Sequence, residues 1–130
     1  MIGVDTNVLL RWLVQDSASI AEQELAAKLL NGKRFHISNV VFIETLWLLS
    51  RYYKFPKQQI QAFIETLLQE DLVTVQGHDL IAKALSDWKQ FGGDLPDHVL
   101  ARQNEAAGCG HTVTFDKKAG RSPLFEVHKA

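Results

Sequence analysis

Cysteine is nearly absent: Cys109 stands alone in 130 residues, which excludes an internal disulfide framework and any cysteine-built zinc cluster. As a small apolar side chain it is expected to be buried. Proline is scarce, at three residues, and no Pro/Ser-rich linker, low-complexity stretch or internal repeat divides the chain. Length then favours a single domain over residues 1–130, able to bury roughly two-thirds of its unfolded surface without staples. No apolar run approaches the roughly 18 residues a membrane span needs: the stretch 8–14 is interrupted by Arg11 and the stretch 40–49 by Glu44. Asp5 stands where a secretory signal would carry basic residues, so a cytoplasmic protein is expected. Net charge is small too, −1 from 14 Lys plus Arg against 15 Asp plus Glu. Any contact with a polyanion must therefore come from a local basic patch.

What remains is a globular composition, 46% hydrophobic and 22% charged, incompatible with disorder, collagen or a fibrous coiled coil. The apolar run 1–4 suits a buried parallel strand. It stops at Asp5-Thr6-Asn7, residues that favour caps, before a helical run over 8–14. A helix over 20–30 closes at Asn31-Gly32, and Phe35-His36-Ile37 is a second strand candidate. Ser38 reads as the N-cap of a helix from 39 to about 53. Pro56 starts another, striped by Ile60, Phe63, Ile64, Leu67 and Leu68. A short strand at 72–75 precedes a helix striped by Leu80, Ile81, Ala84, Leu85 and Trp88, broken by Gly92-Gly93. A last helix opens at Asp94-Leu95-Pro96 and closes at Gly108 and Gly110. A β-type run then ends at Asp116, and after the basic loop 117–121 comes an edge strand at 125–127. Strands separated by helices, with connections too long for hairpins, predict an α/β fold with a mostly parallel sheet.

Most acids read as solvated faces, among them Glu22, Glu24, Glu65, Glu70 and Asp87. Others do not. Asp5 and Asp116 end strand candidates at their C-terminal edges, where open parallel sheets bind ligands, although a turn or cap explains either one alone. Glu44 has Val40, Val41, Trp47 and Leu48 around it and so lies within an apolar stripe, where an unpaired carboxylate costs several kcal/mol. A salt bridge to Arg51, on the same face, is the structural alternative. Asp94 and Asp97 flank Pro96 at a helix start, where capping suffices for each. His98 beside Asp97 points away from it in a helix and reads as incidental. The other four histidines lack zinc-ligand spacing. Taken together, Asp5, Glu44, Asp94, Asp97 and Asp116 come from elements that such a sheet brings to one edge. Converging carboxylates without matching cations suit Mg²⁺ or Mn²⁺ and metal-assisted attack on a phosphodiester.

In this arrangement the chain resembles the PIN-domain family, and within it the VapC-type toxin ribonucleases of toxin–antitoxin pairs. Ile2-Gly3-Val4-Asp5-Thr6-Asn7 is similar to the family's first motif, a strand ending in Asp-Thr-Asn. Ser38 through Glu44 matches the second, a glutamate in an early helix. Asp94-Leu95-Pro96-Asp97 with Ala101 behind it matches the third, and Thr114-Phe115-Asp116 the fourth. Two departures are His98-Val99-Leu100 after the third acid, where a smoother apolar run is usual, and the large Phe115. The resemblance implies a three-layer α/β/α fold and Mg²⁺- or Mn²⁺-dependent endoribonuclease activity. It further implies a homodimer, whose apolar surface the helices around 60–68 and 80–88 are expected to present, and a cognate antitoxin. Asp5, Glu44, Asp97 and Asp116 would be the catalytic, metal-binding quartet, with Asp94 as an accessory ligand. Thr6, Asn7 and Thr114 would support them, and Arg11, Lys117, Lys118 and Arg121 would contact RNA phosphates.

Two other phosphate-handling classes fit poorly. A haloacid-dehalogenase-like site wants a second Asp where Asn7 stands, and a receiver module wants an acidic pair before its central Asp. A PIN-like module that binds RNA or a partner without cleaving it is the remaining alternative, opposed by the complete set of acids.

Overall fold

A computed structural model describes residues 1–129, and the chain divides into two units at Gln76. In the first, β1 (Ile2–Gly3) leads to α1 (Thr6–Leu13), α2 (Ile20–Leu30), β2 (Phe35–Ile37) and α3 (Asn39–Trp47). A five-residue π-turn, Leu48–Tyr52, then precedes α4 (Lys57–Gln69) and β3 (Val73–Val75). The strands form one sheet in the order β1-β2-β3, parallel throughout, with Ile2 opposite Phe35 and Phe35 opposite Val73. Helical crossovers permit this pairing, because parallel neighbours cannot be joined by a hairpin. Phe35, Ile37, Val73 and Val75 are buried, together with Leu9, Leu10 and Leu30 from the first two helices and Ile60, Ile64 and Leu67 from α4.

The second unit begins at Gly77 and comprises α5 (His78–Phe91), α6 (Leu95–Ala106), β4 (Thr112–Thr114), a single 3-10 turn at Ala119–Arg121 and β5 (Phe125–Val127). Strands β4 and β5 are parallel, with Thr112 opposite Phe125. Helices α5 and α6 pack together, and Ala101, Ala119 and Phe125 join α6, the turn and β5 in a small apolar cluster. Every strand pair among the described residues is parallel and the elements between are helical. The fold is therefore α/β with a mostly parallel sheet flanked by helices. No helix among the described residues is long and apolar enough to cross a membrane.

Several expectations are corrected. The first strand is not buried: Met1 and Ile2 are exposed, since β1 is the edge of its sheet and pairs only with β2 among the described residues. Cys109 is exposed, because it follows α6 in an exposed turn between Gly108 and Gly110, which carry no side chains to cover it. The helix from 39 changes to π geometry at Leu48 before reaching 53. In the helices expected to offer a dimer surface, the stripes Ile60, Ile64, Leu67 and Ile81, Leu85, Trp88 are buried. The exposed apolar residues are elsewhere, notably Ile20, Leu25, Val40, Trp47 and Leu100.

Gly120 makes a further point about packing. A Cβ at that position would collide with the Cγ2 of Val127 in β5, so the turn can approach the strand only without a side chain. Gly120→Ala should cost about 1–3 kcal/mol as an overpacked contact, seen as a lower melting temperature. An unchanged melting curve would show that Val127 moves aside freely.

Candidate functional site

The first group of acids is built at the ends of β1 and α3. Asp5 has the extended backbone of an N-cap, and its Oδ1 accepts the Val8 N–H at 3.0 Å, satisfying one of the orphan donors of α1. One residue on, the Thr6 hydroxyl donates to Glu44 Oε2 at 3.2 Å, which ties the first motif to the second. Ser38 caps α3 by accepting the Val41 N–H at 3.4 Å. Phe42, Thr45, Leu46 and Leu49 form the buried face of this helix and its extension.

Glu44 is therefore not inside the core. It is exposed on an outward face it shares with Val40, 68% exposed, and Trp47, 41% exposed. The apolar stripe around it exists but is turned outward. Nor does Arg51 pair with it: the guanidinium carbon stacks 3.8 Å from the centre of the Trp47 ring, a cation–π contact. Asn7 is exposed and shares a cavity of about 130 Å³ with Asp5, Val8, Arg11, Glu22 and Leu29. Arg11 is already engaged, since its Nη1 donates to the Tyr53 hydroxyl at 3.1 Å and its Nε lies 3.8 Å from Glu22. A phosphate contact from Arg11 would have to compete with these.

The second group lies around the start of α6. Gly92 and Gly93 take positive φ, +73° and +74°, a conformation costly for side chains with a Cβ. Asp94 follows at the N-cap, but its side chain makes no capping bond, so the capping explanation fails for this acid. Asp97 stands in the first turn of α6, partly buried. At the end of β4, the Thr114 hydroxyl accepts the Asp116 N–H at 3.0 Å, and Asp116 Oδ1 accepts the Lys118 N–H at 2.9 Å. Thr114 thus bonds the backbone of this acid and not its carboxylate. Lys117, Lys118 and Arg121 are exposed on the same loop.

Burial, then the negative charges of Asp94 and Asp116, push the Asp97 carboxyl pKa above its ordinary value, against a smaller opposing effect of His98. These three acids share one electrostatic environment. A raised folded pKa means that the native state holds the proton more tightly than the unfolded chain. The resulting stabilisation is complete below the ordinary carboxylate pKa and is lost as pH rises through the folded value. Asp97→Asn, which cannot ionise, should therefore melt at a higher temperature than the metal-free wild type at pH 7, with the difference closing at acidic pH. Equal melting temperatures across that range would contradict the coupling.

Among the described residues, no three His, Cys, Asp or Glu side chains are gathered closely enough to hold a metal ion. The donors that are present, carboxylates and a threonine hydroxyl, have the hard-oxygen chemistry of Mg²⁺ or Mn²⁺ sites and not of zinc or copper sites.

Two features were missed or misjudged from sequence. Asp87 is not solvated but buried, held by Arg102 through two bonds of 2.7 and 2.8 Å. His98 is not incidental: it is 2% exposed, and its Nε2 lies 2.7 Å from the Gly92 carbonyl oxygen. The available signal was a histidine five residues after a Gly-Gly break.

Comparison with known proteins gives two results. A family model described as PIN domain matches residues 2–122. A VapC ribonuclease of Aquifex aeolicus (strain VF5) is 24% identical over 120 residues, covering 88% of this chain and 87% of that protein.

Proposed function

The chain belongs to the PIN domain family, and from that premise we propose that it is a cytoplasmic Mg²⁺- or Mn²⁺-dependent endoribonuclease, the toxin of a toxin–antitoxin pair. The observation that carries this reading is Asp97 at the start of α6, a partly buried carboxyl whose pKa is raised first by burial and then by the negative charges of Asp94 and of Asp116 at the end of β4. No lysine or arginine side chain is bonded to any of the three among the described residues. A protein seldom keeps such an arrangement for structure alone, whereas a divalent cation relieves it. The relative named as a ribonuclease supports the substrate class.

In this proposal Asp5, Glu44, Asp97 and Asp116 would hold the cation, with Asp94 as a further ligand. The chemistry it would supply there is charge neutralisation at the phosphodiester oxygens and a more acidic water. The chain's own residues set the stage. Thr6 orients Glu44 through their 3.2 Å bond, and Thr114 fixes the backbone that presents Asp116. Lys117, Lys118 and Arg121 supply positive charge to RNA phosphates beside Asp116, and Arg11 joins them if released from Tyr53.

The test is cleavage of single-stranded and structured RNA with Mn²⁺, with and without chelator. Cleavage that chelator abolishes is the expected result. The alternative, a PIN-like module that binds RNA or a partner without cutting, draws on the lack of a closed three-acid set among the described residues. Metal-independent RNA binding without products would establish that alternative instead. A homodimer is also proposed, now through exposed apolar side chains such as Val40, Trp47 or Leu25. Light scattering should return twice the 14.7 kDa chain mass at micromolar concentration, and a monomer mass would count against it.

A further inference from the structure

We propose that His98 and Trp88 are positioning residues that hold the Gly92-Gly93 turn in place and thereby aim Asp94 and Asp97 toward their cation. This rests on the metal-dependent reading above and adds to it two residues that carry none of its chemistry. The turn between α5 and α6 is left-handed at both glycines, and its two carbonyls are taken by buried side chains. The Trp88 indole N–H donates to the Gly93 oxygen at 2.8 Å, from the last turn of α5. His98 Nε2 meets the Gly92 oxygen at 2.7 Å, from the first turns of α6. A carbonyl is only an acceptor, so Nε2 carries the proton in this tautomer. Nδ1 is buried with no partner among the described residues. The bond to Gly92 is thus the polar contact the ring makes.

The same turn abuts the loop that carries Asp116. A Cβ built on Gly93 would lie 3.8 Å from the Lys118 carbonyl oxygen and 4.0 Å from His98 Nε2. One built on Gly92 would lie 3.5 Å from Arg121 Nη1. Asp94 follows the turn directly, with no capping bond of its own to fix it, and its backbone carbonyl accepts the Asp97 N–H at 3.2 Å. The direction in which these acids face is therefore inherited from the turn. Groups that orient metal ligands without touching the metal typically account for 10–100-fold in affinity.

The experiment measures Mn²⁺ affinity from the electron paramagnetic resonance signal of free Mn²⁺, on the full chain, with circular dichroism confirming the fold. His98→Leu fills the space but cannot donate, and should weaken Mn²⁺ binding about 10–100-fold. His98→Gln places an amide N–H near the former Nε2 and should stay within a few-fold of wild type. Trp88→Phe removes only the second donor and should weaken binding as well. If His98→Leu does not fold, the contrast between His98→Gln and Trp88→Phe decides in the same way. Wild-type affinity in folded His98→Leu overturns the proposal, as does equal weakening in the Leu and Gln variants, which would assign the effect to ring packing. No Mn²⁺ binding by the wild type would instead sink the metal-dependent reading, and this inference with it, before any variant is compared.

Discussion

Asp116→Asn is expected to abolish RNA cleavage while leaving the fold intact, and Asp5→Asn to do the same. Both carboxylates have visible structural duties: Asp116 accepts the Lys118 N–H and Asp5 caps α1 through the Val8 N–H. An amide oxygen performs either duty as well, since Asn and Asp rank together as N-caps. What the substitution removes is the charge and the second anionic oxygen, the properties a hard cation requires. The pair of variants therefore separates the capping role from the proposed metal-binding one. Activity at saturating Mn²⁺ above about a tenth of wild type, a barrier change under about 1.4 kcal/mol, would remove that acid from the site. A large loss of melting temperature would show that the amide had failed as a cap.

The largest effect on stability is expected at Arg102. Its guanidinium grips Asp87 through Nε and Nη2 at 2.7 and 2.8 Å and reaches Glu105 at 2.9 Å. The Asp87 side chain is only 8% exposed, so Arg102→Met would leave an uncompensated carboxylate between α5 and α6. Breaking a buried pair from one side typically costs about 3–5 kcal/mol, which urea denaturation would register. The double substitution Asp87→Leu with Arg102→Met should recover much of the loss, because no charge is then stranded. A single-variant loss under about 1 kcal/mol would place the pair among surface bridges. The Asp87 bonds hold the Arg102 proton even more firmly than usual, so the pair keeps its charge on that side at any working pH.

The contrast between these residues shows what could be read in the sequence. Asp5, Ser38 and the Gly92-Gly93 break declare themselves because caps and left-handed turns are local chemistry, settled within three or four residues. The stripes of α4 and α5 are legible for the same reason. Asp87 is not, since its burial depends on an arginine fifteen residues later on another helix. Glu44 fails differently. Helix α3, Asn-Val-Val-Phe-Ile-Glu-Thr-Leu-Trp, is apolar nearly all the way round, so periodicity cannot say which of two faces turns inward. The face with Phe42, Thr45 and Leu46 is buried, and Glu44 goes with the other. For the site, the motifs named the acids, but only the fold revealed that Thr6 bonds Glu44 and that Asp94 is free of capping duty.

The exposed Cys109 has a practical consequence. Because the chain holds one cysteine and it is accessible, a thiol-reactive probe attaches at a single known address. That address follows the C-terminal end of α6, while Asp94 and Asp97 stand at its N-terminal end. At 1.5 Å per residue, a helix of this length separates the two by about 18 Å. A nitroxide or fluorophore there would be a ruler anchored in the turn just beyond the helix that carries Asp97, close enough to feel a paramagnetic Mn²⁺ held at the acids and too far to touch it. The same thiol also sets a rule for handling. Air oxidation can cross-link two chains, so a dimer mass counts as self-association only when it survives reductant.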